Sequence, residues 1–119
     1  MIPSGHGRRL APADLFEVEA RLSAEERLAR RAVSGFVSRR YLPLAQRSFR
    51  EGIFPREILP ELGALGVFGM GLSGHGCPGL SQVAVGAAML ELERGDSGLR
   101  AFASVQDSLC MYPIHAFGS

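Results

Sequence analysis

Apolar residues recur at helical spacing along most of the chain, and Gly- and Pro-rich breaks divide the pattern into segments. The first dozen residues carry Gly, Pro and Ser with little periodicity, so residues 1–14 are expected to form a flexible tail. Ser23 followed by Glu26 is a capping box, in which each side chain satisfies a free backbone N–H at a helix start. Leu28, Ala32, Val33, Phe36, Val37 and Arg40 then follow at helical spacing. Arg27, Arg30, Arg31, Arg39 and Arg40 supply a mostly solvated face, and Pro43 is expected to bend or end the helix.

A second helix is predicted from Pro55 to about Leu65, with Ile58, Leu62 and Leu65 on one stripe and a kink at Pro60. A third runs from an N-cap at Ser81 to Arg94, with Val83, Ala87 and Leu90 turned inward and Gly95 as a left-handed C-terminal cap. The fourth begins near Ser97 and runs through Met111, stopping before Pro113. Nothing alternates in the manner of a strand. The pattern predicts an all-α, antiparallel helical bundle with short connections.

Composition narrows the picture. The 119 residues suit one small domain, and 46% hydrophobic content is high for a short soluble chain. That points to apolar surface covered by a partner. Net charge +1 supplies no field to recruit nucleic acid or an anionic membrane. No apolar run reaches the ~20 residues of a membrane helix. All 13 basic residues are Arg, and Lys, Asn and Thr are absent. This usage suits a GC-rich gene and points to a bacterial cytoplasm. There Cys77 and Cys110 are expected to stay reduced.

Gly69-Met70-Gly71-Leu72-Ser73-Gly74 is a literal G-x-G-x-x-G. A phosphate cradle requires that motif between a strand and a helix, and here it follows a helix tail, so a long flexible loop is expected. His75 and Cys77 lack the further ligands that zinc needs, and no metal site is expected. His115 sits in a short apolar tail. Arg100, Ser104 and Asp107 are spaced four and three residues apart and share one face of a helix. Phe102, Val105 and Leu109 face the other way, into the packing. An Arg held in such a notch can grip a carboxylate through two parallel hydrogen bonds. On a straight helical wheel Asp107 lies ~20° from Arg100, close enough to compete for it.

The block ELERGDSGLRAFASVQDSL, with LGALGVFGMGLSGHGCPGLSQVAVGAAM before it and MYPIHAFGS after it, resembles glutaryl-CoA dehydrogenases within the acyl-CoA dehydrogenase family. The likeness runs from about Leu15 to Ser119, collinear and without obvious gaps. It implies that residues 15–119 form that family's amino-terminal helical domain, truncated before the middle β domain. In glutaryl-CoA dehydrogenases an Arg and a Ser contact the distal carboxylate of the substrate and a Glu orients the Arg. Those roles fall on Arg100, Ser104 and Glu93, and Ala101 borders the substrate where a Ser is common.

The resemblance also implies FAD in the complete enzyme, bound by the middle and carboxy-terminal domains in cis or in trans. The general base is a Glu of the carboxy-terminal domain. No catalytic residue and no bound FAD are therefore expected on this chain alone. Acyl-CoA is the implied substrate and a homo-oligomer the implied assembly. Two alternatives stay open: a dehydrogenase segment for a different acyl group, and a non-catalytic helical interaction subunit or relic. Asp107 and Ala101 depart from the glutaryl pattern and bear on the first.

Overall fold

The computed structural model describes residues 17–119, and the tail expected at residues 1–14 lies outside them. A short helix α1 (Val18–Arg21) precedes α2 (Ala24–Phe36). The capping box forms as expected: Ser23 N donates to Glu26 and Glu26 N donates to Ser23 Oγ, at 2.9 and 3.2 Å. A π-helical turn (Val37–Tyr41) carries α2 directly into α3 (Leu42–Glu51). Gly52, at φ 64°, caps α3 in the left-handed conformation that favours glycine.

Pro43 therefore does not end the helix. Proline lacks an N–H and its ring clashes with the carbonyl four residues back, and a wider π turn in that position accommodates both. The same device recurs later. Helix α6 (Ser97–Ser104) leads into a π-helical turn (Val105–Met111) and then α7 (Tyr112–Phe117), with Pro113 in the first turn of α7. The stop expected before Pro113 is replaced by continuation.

Between these rods, a 3-10 turn (Arg56–Ile58) precedes α4 (Leu59–Ala64). Pro60 occupies the first turn of α4, where its missing N–H costs nothing, so it starts this helix and does not kink it. The expected flexible loop contains a small antiparallel hairpin, β1 (Ser73–Gly74) with β2 (Cys77–Pro78). Its two turn residues, His75 at φ 52° and Gly76 at φ 81°, are both left-handed, as the twist of a two-residue hairpin loop requires.

Helix α5 (Gln82–Gly95) starts at Ser81, whose Oγ accepts the Ala84 N–H at 3.1 Å. It runs alongside α2 in the same direction: Glu26 meets Ser81, Arg30 meets Glu91, and Arg94 meets Ser34 and Ser38. The antiparallel arrangement that short connections would produce is not adopted by this pair, because residues 52–81 return the chain before α5 begins. All-α architecture otherwise holds.

The core joins Val33, Phe36, Val37 and Tyr41 to Ile58, Leu62, Val67, Met70, Ala88, Leu92, Leu99 and Ala103. Ala84, Ala87 and Ala88 line the buried side of α5, so the backbones approach closely. Gly95 belongs to this contact and is helical, not left-handed. A Cβ there would stand 2.9 Å from Val37 Cγ1 and 3.3 Å from Tyr41 Cδ1.

Several apolar residues expected inside are outside. Leu28, Leu65, Val83, Leu90, Val105 and Leu109 are exposed. In α5 the partner covers the alanine stripe beside the Val83–Leu90 one, and small side chains allow the tighter approach. The described structure measures only 19 Å across its thinnest axis, about two helix diameters, so a second apolar face has nothing to pack on.

Candidate functional site

Asp96 makes the site. Its backbone is extended, at φ −171° and ψ 137°, which ends α5 and begins α6 with no intervening loop. Its carboxylate caps α6 by accepting from Gly98 N at 2.6 Å and Leu99 N at 3.3 Å. This break sets the last turn of α5 against the first turns of α6. Glu93 Oε2 accepts from Arg100 Nε at 2.7 Å, and Glu93 Oε1 accepts from Ser97 Oγ, also at 2.7 Å. Those two hydrogen bonds, Ser97 first, hold the Glu93 carboxyl below its usual range.

Arg100 and Glu93 are each about 40% exposed. Arg100 uses only Nε in this pair, which leaves the Nη edge of the guanidinium without a protein partner among the described residues. Ala101 and Ser104 are half-buried beside it. The Ser104 carbonyl accepts Ser108 Oγ at 2.6 Å. Phe102 fixes α6 from its other side, with ring centroids 5.1 Å from Phe54 and 6.0 Å from Phe68.

Asp107 does not join this group. Its Oδ1 accepts the Gly69 N–H at 2.6 Å. The helical wheel assumed a straight α-helix, but the π turn beginning at Val105 changes the register just past Ser104. Competition between Asp107 and the substrate for Arg100, expected from spacing, is thus replaced by a loop contact.

Gly69 also explains the G-x-G-x-x-G. Its φ of 77° is left-handed, and a Cβ there would stand 2.7 Å from Met111 Cε and 2.9 Å from Cys77 Sγ, so the turn needs glycine for its own packing. His75, Cys77 and His115 line a separate cleft of about 500 Å³ with Leu72, Met111 and Ile114. Arg100 and Ser104 do not line it. Among the described residues no three His, Cys, Asp or Glu side chains cluster to hold a metal, and no helix is long and apolar enough to cross a membrane.

Sequence reasoning brought Glu93, Arg100, Ala101 and Ser104 to one region and missed Ser97. The signal was available: Ser97 lies four residues after Glu93, a spacing that brings side chains together.

A second ionic cluster locks α2 to α5. Glu91, 6% exposed, accepts from Arg30 Nε at 3.0 Å and Arg94 Nε at 2.8 Å. Arg30 also reaches Glu19 at 2.8 Å, and so belongs to the packing and not to the solvated face. Burial pushes the Glu91 carboxyl up, and hydrogen bonds from Arg94 and Arg30 more than offset it, so its pKa is lowered.

These features match a known class. Residues 23–119 fit the acyl-CoA dehydrogenase N-terminal domain, and the chain belongs to that family. A crystal structure of glutaryl-CoA dehydrogenase from Mycobacterium smegmatis superimposes with a TM-score of 0.83 and 54% identity, covering 89% of this chain and 28% of that one. A second, of a glutaryl-CoA dehydrogenase from the same organism in complex with FADH2, gives 0.86 and 44%, over 92% and 28%. Glutaryl-CoA dehydrogenase of Desulfococcus multivorans is 31% identical over 102 residues, 82% of this chain and 26% of the relative. The mitochondrial short-chain specific acyl-CoA dehydrogenase of Homo sapiens is 33% identical over 85 residues, 71% and 21%. The chain thus spans about a quarter of the length of these relatives.

Proposed function

We propose that this chain forms one wall of the acyl pocket of a flavin-dependent acyl-CoA dehydrogenase acting on glutaryl-CoA or a related acyl-CoA. Arg100 grips the distal carboxylate, Ser104 donates its hydroxyl to the same group, Glu93 orients Arg100, and Ala101 borders the acyl chain. The observation that carries this reading is the Arg100–Glu93 pair: it orients the guanidinium through Nε and leaves the Nη edge for a ligand.

The chemistry is oxidation of the acyl group, with hydride passing to FAD. FAD and the proton-removing base are assigned to the middle and carboxy-terminal domains, in cis or in trans. We place the assembled enzyme in the bacterial cytoplasm as a homo-oligomer.

The test joins residues 15–119 to the remaining domains of the Mycobacterium smegmatis glutaryl-CoA dehydrogenase and compares Arg100→Ala with its parent. Glutaryl-CoA should lose ~30-fold to several thousandfold in kcat/KM, the usual cost of removing a charged partner from a dry site. A neutral acyl-CoA of similar length should be nearly unaffected. Equal loss for both substrates would show that Arg100 only holds the helix in place.

A further inference from the structure

Carboxylate and guanidinium prefer to meet through two parallel hydrogen bonds. Glu93 and Arg100 do not. Arg100 offers Nε alone to Glu93 Oε2, and the other oxygen, Oε1, is held by Ser97 Oγ. We propose that Ser97 is a positioning residue for the anion site, keeping the Glu93–Arg100 pair single-bonded so that both Nη nitrogens stay available to a ligand carboxylate. This inference rests on the carboxylate-anchor reading of Arg100.

The surroundings support the division of labour. At most helix starts the free backbone N–H groups would attract a nearby carboxylate. Here Asp96 already takes Gly98 N and Leu99 N, so Glu93 is left to side-chain donors. Ser97, the first residue of α6, supplies the donor, and a carboxylate held at both oxygens cannot rotate without losing one partner. Asp107, the other acid close in sequence, is held by Gly69 and does not approach. Without Ser97, Oε1 is released and Glu93 can turn side-on to take Nε and one Nη together. The protein's own carboxylate would then occupy part of the edge that the substrate needs.

Ser97→Ala in the joined enzyme should raise KM for glutaryl-CoA about 3- to 10-fold, the scale of one partly exposed charge-assisted contact. The value of kcat should hold, and the KM of a neutral acyl-CoA should not move. Ser97→Thr keeps the hydroxyl and should restore the parental KM. In a Glu93→Gln background Ser97→Ala should have no further effect on KM. A second readout uses the 119-residue chain without substrate: ¹⁵N NMR of the Arg100 guanidinium. Averaged Nη signals are expected in the parent, and split, slowly rotating ones in Ser97→Ala. Unchanged KM and unchanged Nη signals in Ser97→Ala would overturn the proposal. If Arg100→Ala spares the substrate difference, the anchor reading fails, and the Nη signals still decide whether Ser97 controls the pair.

Discussion

Asp107 Oδ1 accepts the backbone N–H of Gly69 at 2.6 Å, across 38 residues of chain. That bond ties the glycine-rich connection to the π turn after α6, at a buried backbone position. It gives an acid just past the helix that carries Arg100 a structural task and keeps it off Arg100.

Asp107→Ala should therefore destabilise the chain by about 1–3 kcal/mol, the cost of a buried N–H left unpaired. Asp107→Asn, which retains an acceptor, should cost less. Urea denaturation measures both, and hydrogen exchange at Gly69 should accelerate in the Ala variant. Neither variant should improve glutaryl-CoA turnover in the joined enzyme. A clear gain would mean that Asp107 does reach Arg100.

Gly95→Ala tests the close approach of α5 to the π turn Val37–Tyr41. Alanine favours a helix by about 1 kcal/mol over glycine. Its methyl would nevertheless sit 2.9 Å from Val37 Cγ1, and overpacking of that kind typically costs about 1–3 kcal/mol. A lowered melting temperature is expected. A rise would show that the two backbones separate without penalty.

Acid should unfold the chain through its paired carboxylates. Glu91, Glu61, Glu26 and Glu93 all have folded pKa values below the ordinary 4.5. The unfolded state then binds protons first as pH drops, so stability is full above about pH 5 and falls as pH passes down through the folded values. Glu91→Gln should flatten this dependence. At neutral pH it should also cost ~2–4 kcal/mol, less than for a fully dry pair because Arg94 is over a third exposed. Denaturation curves at pH 7, 5, 4 and 3 would show whether the slope has the opposite sign.

The exposed apolar side chains of α7 and of the π turn before it should drive association. Leu109, Tyr112, Ile114 and Phe117 are 68, 54, 71 and 85% exposed. Sedimentation of the 119-residue chain should show self-association, and Ile114→Ser with Phe117→Ser should reduce it. A monodisperse, highly stable parental monomer would argue that this face needs no partner.

Local rules were legible in the sequence wherever a few neighbouring residues decide the outcome. Ser23 with Glu26, and Ser81 before α5, start helices because capping needs only a side chain within three residues of the N–H groups it accepts. The spacing of Arg100 and Ser104 likewise put them on one helix face, and Glu93 was added by the family resemblance. Tertiary structure decided what local spacing leaves degenerate. A helix such as α5 carries two apolar stripes, and the approach of α2 selected the alanine one and left Val83 and Leu90 outside. Pro43 reads as a bend or stop and Pro113 as a stop, yet a π turn before each carries the helix on. The π turn after Ser104 turned Asp107 toward Gly69. A wheel drawn on one straight helix places Ser97 beside Glu93 but does not contain the Asp107 contact, because that contact depends on where Gly69 lies.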